Sequence, residues 1–589
     1  VDDSEHKGPT MHALSKIEIP SVLFFLGILM TVASMESLGM IFNFGEYVNN
    51  NEDNLKYISS FSGSAGIAII LLNKNYIFVD GRYTIQAEIQ CGKNFKVCTI
   101  PKEYPFKIFK NKNLKIGFDP KLHTEISLRR YFFNSSIKLV PLKENLIDTI
   151  WKREKYKNIK PFYSISKEYA GEDVKNKIKK LTKLIKFSKA NYLFITSSEN
   201  IAWLLNIRGQ DTSFSPLPNS HAIISKEGSI KLFCNLKKIN KSLRLKLKKY
   251  VKFFDFNLIP NIIDTISKQN VIIDISTCSI FYKTLFKKKN FIIEKQDPIN
   301  YLKALKNNVE IKNSIQSHIY DGAALTKFIF WLKNNFKNKK ITEIDAQNKL
   351  LNFRKKNKTF KSLSFPTISG CGPNSAIIHY KADEKSNRIL RKGDVYLVDS
   401  GGQYSYGTTD VTRTLSLDVE NEKIKDIYTR VLKGHIAVAT YKLTNKSTGE
   451  QIDKKARNPL KQINLDYPHG TGHGVGYFLN VHEGPQAISR GNKVTFKPGM
   501  ITSNEPGYYK KNHFGIRIEN LTYVKKLKNK MQFEDLTLAP IEKDLIKKNL
   551  LTRFEKNWLN NYHQKVFQHL KKFMNKVELL QLKEACSNI

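Results

Sequence analysis

Residues 395–417 read VYLVDSGGQYSYGTTDVTRTLSL, and this stretch decides what the rest of the chain has to build. Val395 to Val398 form an apolar run that ends on Asp399. Asp410 follows eleven residues later and opens a second run, Val411 to Leu417. Gly401, Gly402 and Gly407 lie between the two, where a tight turn is needed. An antiparallel hairpin over this stretch brings both carboxylates to one place. One aspartate behind a strand is ordinarily a turn residue or a helix cap; two at hairpin spacing ask for a shared purpose.

Three further pieces supply that purpose. PHGTGHGVGYFLNVHEGPQ (468–486) holds His469, His473 and His482 within fourteen residues, with Gly470, Gly472, Gly474 and Gly476 around the first two. Glycine lets a backbone come close to a ligand. The piece has neither GxxxxGK[ST] nor the dinucleotide-binding glycine pattern, so it is no phosphate loop. GMITSNEPGYY (499–509) places Glu505 directly before Pro506, and FGIRIENLTYV (514–524) reads as a strand with Glu519 among apolar neighbours. An acid inside an apolar strand is expensive unless paired or metal-bound; the plain alternative for Glu519 is a salt bridge with Arg517. Together Asp399, Asp410, His473, Glu505 and Glu519 make four carboxylates and one imidazole, a set that cannot share a dry pocket without cations. Oxygen-rich ligation with one histidine favours Mn²⁺, Mg²⁺ or Co²⁺ over a thiolate-type zinc site. Two ions about 3.5–4 Å apart can share bridging carboxylates and a hydroxide, which is a hydrolase arrangement.

Upstream, the chain alternates strand-like and helical stretches. GIAIILL (66–72) and YIFVDGRYTIQAEI (76–89) read as strands around an Asp80-Gly81 turn, and KIGFD (115–119) as another. NYLFITS (191–197), HAIIS (221–225) and VIIDIST (271–277) restart the alternation, with VIIDIST in the role of KIGFD. Two similar α/β units of about 130 residues therefore precede Lys303. A long amphipathic helix is expected after it.

The first 45 residues stand apart. Ile19 to Met35 is uncharged between Glu18 and Glu36, shorter than the roughly 20 residues of a membrane span. Residues 12–39 resemble a piece of a sodium/proton antiporter. A fusion scar, an anchor over residues 19–42 and a buried helix are all compatible with this head.

The composition is globular: 589 residues, 41% hydrophobic and 25% charged, which excludes collagen, a plain coiled coil and wholesale disorder. There are 97 Lys and Arg against 53 Asp and Glu, a formal +44, but only 15 of the basic residues are Arg. Readers of nucleic acid lean on the planar Arg fork. A diffuse Lys surplus speaks for non-specific contact rather than a specific nucleic-acid partner. Residues 361–520 hold 23 basic and 15 acidic residues, less basic than the rest, and six of the thirteen histidines lie between 379 and 513. Cys91, Cys98, Cys234, Cys278, Cys371 and Cys586 form no CxxC pair and suit a reducing, cytoplasmic setting.

With the four pieces in hand, the sequence resembles the pita-bread metallopeptidases, and within them the three-domain aminopeptidase P family. The resemblance extends to FSGSAGIAII (61–70), DGRYTIQAEIQ (80–90), ENIAWLLNIRGQD (199–211) and the tail from Leu536 to Val566. It implies two creatinase-like N-terminal α/β domains, 46–165 and 166–305, then an α+β pita-bread catalytic domain, 306–545, and a helical extension, 546–589. The head, 1–45, departs from it, so that the first strand of the first domain is expected to be missing or replaced. The implied activity is hydrolysis of the N-terminal Xaa-Pro bond of short peptides. Asp399 would bind one ion, Asp410 and Glu519 would bridge, and His473 and Glu505 would complete the second. Glu505 would also accept the proton of the attacking water. His379 and His482 would serve the oxyanion or the leaving nitrogen, while His469 and Arg413 would hold substrate. Mn²⁺, with Co²⁺ or Zn²⁺ as alternatives, and a homodimer are implied as well. The rival readings are a prolidase restricted to Xaa-Pro dipeptides and a non-catalytic pita-bread protein binding through its basic surface.

Overall fold

The computed structural model describes residues 53–110, 114–133, 136–153, 159–528 and 530–589, and the backbone of 26–31. The chain folds as two compact units. The first runs to residue 300 without 167–171, and the second takes those five residues and 301–589.

The first unit holds two six-stranded sheets of one topology. In the first, β1 (Leu26–Thr31), β2 (Ile67–Ile70), β3 (Asn75–Asp80), β4 (Phe95–Ile100), β5 (Lys115–Phe118) and β6 (Lys138–Pro141) lie in the order β4-β3-β2-β1-β5-β6. In the second, β7 (Tyr192–Ile195), β8 (His221–Ser225), β9 (Ile230–Phe233), β10 (Val251–Phe254), β11 (Asn270–Ile273) and β12 (Phe291–Glu294) lie in the order β10-β9-β8-β7-β11-β12. Each strand of one sheet has its counterpart six places on. Pair by pair the directions agree, with the second strand antiparallel to both neighbours and the remaining pairs parallel. β5 and β11 are KIGFD and VIIDIST, which occupy the same slot.

Two expectations change here. The Asp80-Gly81 turn leads into a helix, Thr84–Gln90, not a strand; Ile85 and Ile89 stand four apart, at helical spacing. The slot held by β7 in the second sheet is held in the first by β1, which lies inside the head. Ile28 stands opposite Ile70, antiparallel, and opposite Gly117, parallel. Of the two expectations, a missing or a replaced first strand, the structure excludes the first, because a strand from the head fills the slot. A strand enclosed within a doubly covered sheet is written as an unbroken apolar run, which is also how a membrane segment is written. The remainder of the 19–42 segment lies outside the described residues. Among the described residues no helix is long and apolar enough to cross a membrane.

The second unit opens with α1 (Asn308–Asn335), started by Asn307, whose side chain caps the backbone while Glu310 reaches back in a capping box. α2 (Glu343–Lys355) packs beside it. A three-stranded antiparallel sheet, β14 (Ile368–Cys371), β15 (Val395–Ser400) and β18 (Val411–Ser416), then carries the opening stretch of sequence. Beside it lies a small sheet of β13 (Phe360–Leu363), β16 (Gly402–Tyr404) and β17 (Gly407–Thr408). β15 alternates as a strand should. Tyr396 and Val398 enter the helical core with Phe328 of α1 and Tyr428 of α3 (Glu422–Ala439). Leu397 packs on the other face with Ile368 and Tyr380, and Asp399, two residues on, shares that face.

α4 (Gly449–Lys461) precedes a five-stranded sheet in the order β20-β19-β21-β24-β25, made of β19 (Gly472–Gly474), β20 (Glu483–Ile488), β21 (Ile501–Asn504), β24 (Asn520–Leu527) and β25 (Lys530–Asp535). A two-stranded ribbon of β22 (Gly507–Lys510) and β23 (Phe514–Arg517) stands between. α5 (Arg553–Leu570) and α6 (Lys576–Ala585) end the chain.

Candidate metal centre

β15 and β18 pair antiparallel with Asp399 directly opposite Thr412, so Asp410, at the entrance to β18, comes back to the end of β15. GIRIEN is not one strand. β23 ends at Arg517 and β24 begins at Asn520, and at the break the Glu519 amide leaves its own sheets to donate to the Thr412 carbonyl at 3.1 Å. The Thr412 hydroxyl in turn donates to Glu519 Oε2 at 2.7 Å. The amide of Glu505, just past β21, donates to the Thr471 carbonyl at 2.7 Å, two residues before His473 on β19. One sheet thus supplies Asp399 and Asp410, and the breaks after β21 and β23 supply Glu505 and Glu519, to a common cleft.

His473 is oriented from behind. Nδ1 lies 2.9 Å from the Gly474 carbonyl, which assigns it the proton and leaves the Nε2 lone pair facing Asp410 Oδ2 at 3.5 Å and Glu505 Oε1 at 3.6 Å. Ligand atoms of Asp410, His473 and Glu519 all lie within 4.8 Å of one another. Asp410 and Glu519 are fully buried, whereas His473 and Glu505 are half-buried and line the opening. Asp399 is buried and pairs with Arg517 Nη2 at 2.6 Å.

The electrostatics show what is missing from this set. Burial first, and then the charges of Asp399 and Glu505, hold the Asp410 carboxyl well above its usual range. Burial and then Asp410, Asp399 and Glu505 do the same to Glu519. Burial also raises Glu505, against the opposing pull of His473 and Arg517. Asp399 Oδ1 and Asp410 Oδ1 are buried with no hydrogen-bond partner. Buried carboxylate oxygens are normally satisfied. Oxygens left bare, beside an imidazole whose tautomer bares its own lone pair, fit a divalent cation.

The remaining expected residues divide. His482 lies against His473, ring centroids 4.2 Å apart and nearly perpendicular. His469 sits at the far end of a relay: its Nε2 is 2.8 Å from the Tyr509 hydroxyl, Arg517 Nη1 donates to that oxygen at 2.7 Å, and Arg517 ends on Asp399. His379 follows Ile378, whose carbonyl lies 3.5 Å from Arg517 Nη2. Arg413 is a correction. It was expected at the substrate, yet it is wholly buried, with Nε, Nη1 and Nη2 donating to the carbonyls of Pro540, Thr412, Glu519 and Ala539, to Asn520 Oδ1 and to the Tyr562 hydroxyl. Its role is to join β18 to the C-terminal segment. The sequence reading also gave Arg517 only as a partner for Glu519, and it passed over Tyr509 and Thr412. The signal for one of these was the period of two: Thr412 stands two residues from Asp410, on its side of the chain.

Such a cleft, on an α+β unit that follows twin α/β modules in the chain, defines a metallohydrolase. The family description "Metallopeptidase family M24" matches residues 313–526 and its C-terminal region 529–589, and "Creatinase/Prolidase N-terminal domain" matches twice, at 46–150 and 153–310. The chain is 38% identical over 563 residues to the probable Xaa-Pro aminopeptidase P of Coprinopsis cinerea, covering 89% of this chain and 90% of that one. It is 36% identical over 557 residues to Xaa-Pro aminopeptidase 1 of Dictyostelium discoideum, covering 88% of each. The crystal structure of X-prolyl aminopeptidase from Caenorhabditis elegans, described as a cytosolic enzyme with a di-nuclear active site, matches with a TM-score of 0.90 at 29% identity over 98% of this chain and 100% of that one. The Xaa-Pro dipeptidase of Bacillus anthracis, at 22% identity and a TM-score of 0.52 over 63% of this chain, shares the fold alone. The chain belongs to metallopeptidase family M24, among its Xaa-Pro aminopeptidases with creatinase-type N-terminal domains. Its catalytic unit has the pita-bread fold.

Proposed function

We propose that this chain removes the first residue from short peptides whose second residue is proline, with two divalent ions held by Asp399, Asp410, His473, Glu505 and Glu519. One observation carries the reading: Asp410 and Glu519 are buried side by side, and among the described residues neither forms an ion pair with a lysine or an arginine. Charge counting supports a pair of ions. Four carboxylates and Arg517 sum to −3; one divalent ion leaves −1, and two leave +1, which an anionic nucleophile neutralises. When bound, such a pair supplies Lewis acidity and acidifies water near neutral pH.

The chain's own groups divide the remaining work. Glu505, half-buried at the opening and raised in pKa, takes the proton of the attacking water at Oε1 or Oε2. The Ser503 hydroxyl, donating to Oε1 at 3.1 Å, orients that carboxylate. His482 and His379 meet the tetrahedral oxyanion or return the proton to the imide nitrogen. His469, fixed by Tyr509, borders the proline side. Proline lacks an N–H and has a fixed φ, so a site that grips shape rather than an extended backbone suits it.

The oxygen-rich set with one imidazole favours Mn²⁺, with Co²⁺ or Zn²⁺ next. The chain works as a homodimer in the cytoplasm, a setting supported by six cysteines that are all free thiols. Its charge serves non-specific contacts and no specific nucleic acid. Hydrolysis of an Xaa-Pro-Xaa tripeptide with Mn²⁺, abolished by chelator and restored by metal, is the expected result. Cleavage of Xaa-Pro dipeptides alone would make the chain a prolidase. Salt-sensitive RNA binding without metal-dependent hydrolysis would make it a binding protein.

A further inference from the structure

The chain carries 82 lysines, and most are what a composition leads one to expect, solvated charges at the surface. Lys303 and Lys306 are not. Both side chains are 1% exposed, and both end on a single buried carboxylate, Glu483, itself 2% exposed. Lys303 Nζ lies 3.2 Å from Glu483 Oε2, and Lys306 Nζ donates to Oε1 and also, at 3.0 Å, to the Lys303 carbonyl. Their backbone is held as well. The Lys306 amide donates to the Gly499 carbonyl at 3.2 Å, and Gly499, at φ +87°, leaves no room for a Cβ, which would lie 2.5 Å from the Lys306 carbonyl oxygen.

This arrangement is hard to explain by stability. Holding two ammonium groups and a carboxylate in the interior takes three charges out of water. Immobilising two lysines is also among the largest side-chain entropy losses available. Apolar residues of like volume commonly equal or exceed such a group in stability. What directional bonds add is position, and the place they fix is informative. Glu483 directly follows His482. Its backbone pairs with Gly474, which directly follows His473, at a register shift in β19 and β20. A Cβ on Gly474 would lie 2.3 Å from the Glu483 carbonyl oxygen, so the two backbones are already as close as they can come. Setting Glu483 therefore sets the 4.2 Å contact between the rings of His482 and His473.

We infer that Lys303 and Lys306 are positioning residues that act through Glu483 to hold His482 in working orientation beside His473. The inference rests on the role given to His482 in the proposed reaction. The lysines touch no reacting atom; they hold one end of a hairpin whose other side carries the imidazole.

The test uses the full chain loaded with Mn²⁺ and an Xaa-Pro-Xaa peptide. The neutral triple variant Lys303→Met, Lys306→Met, Glu483→Leu removes the three charges together. It is expected to keep its metal content and its urea midpoint and to lose about tenfold to a hundredfold in kcat, the scale of a misplaced catalytic group, with KM within about twofold. His482→Ala should cost a comparable factor. Adding His482→Ala to the triple variant should cost nothing more, because both changes remove one function. Losses that multiply, a kcat retained by the triple variant, or a fall in bound metal parallel to kcat would each overturn the inference. Should the triple variant fail to fold, Lys306→Met leaves the Lys303–Glu483 pair one to one and faces the same requirement of no further loss with His482→Ala. An unmodified enzyme inactive on the peptide would instead defeat the proposed function, a separate reading in the same assay.

Discussion

Asp321 and Asp410 belong to the same unit and are both buried, but only the first has its charge met by protein. Arg354 grips Asp321 through Nε at 2.8 Å and Nη2 at 3.1 Å, and the Tyr404 hydroxyl donates to it at 2.7 Å. Around Asp410 the neighbours are further acids and His473, the nearby Arg517 is paired with Asp399, and Oδ1 is bare. The two networks meet back to back on β15. Ser400 accepts from Arg354 at 3.0 Å, while Asp399, the preceding residue, faces the acidic cleft. The fold evidently can neutralise a buried aspartate when the position calls for it. At Asp410 no lysine or arginine forms such a pair, and the missing charge is what the proposed metal would bring.

This contrast is exposed to three measurements. The largest effect is expected from Asp410→Ala or Glu519→Ala. Each should cost far more than the ~10–100-fold typical of a metal's outer partners and should empty the site, read by peptide turnover and elemental analysis of bound metal. Near-normal turnover in either variant would end the dinuclear assignment. Next come two aspartates with opposite signs. Asp321→Asn breaks a buried pair and should destabilise by about 3–5 kcal/mol. Asp410→Asn relieves like-charge crowding and should stabilise the chelator-treated protein by about 1 kcal/mol or more. Urea melts of both decide, and destabilisation by both would dissolve the contrast.

The smallest effect concerns a third way to bury a titratable group, which is to keep it neutral. Burial pushes the pKa of His123, in the first unit, down to about 3. The folded state then binds fewer protons than the unfolded one. The resulting stability is complete above the unfolded pKa of about 6.5 and is lost as pH falls toward 3, by up to ~1.4 kcal/mol per pH unit. His123→Gln should flatten that acid limb, and parallel stability curves from pH 7 to 4 would count against neutral burial.

Asp410, His473 and Glu519, which the structure brings together, were legible because metal chemistry restricts the residue types it uses, and because carboxylates at strand ends beside glycine-rich turns have few other uses. Arg413 misled because a basic residue three places from Asp410 looks close in sequence, whereas alternation sends it through the sheet to the other side. Arg517 and Tyr509 were hidden for a related reason: their importance lies in a relay across a hairpin that no spacing announces. β1 was obscured by its own apolarity, since an enclosed strand and a membrane segment share one signature. Lys303 and Lys306 were lost among 82 alike, for burial leaves no mark on composition.

Arg413 also bears on the order in which the site can be completed during synthesis. It fastens the strand behind Asp410 to Ala539, Pro540 and the Tyr562 hydroxyl. A nascent chain that has just produced Glu519 owns all five proposed ligands but lacks the partners of this guanidinium. At roughly 5–20 residues per second, Tyr562 follows only some seconds later. Until the C-terminal segment has emerged, the strand behind Asp410 lacks the partners that fasten it in the folded unit.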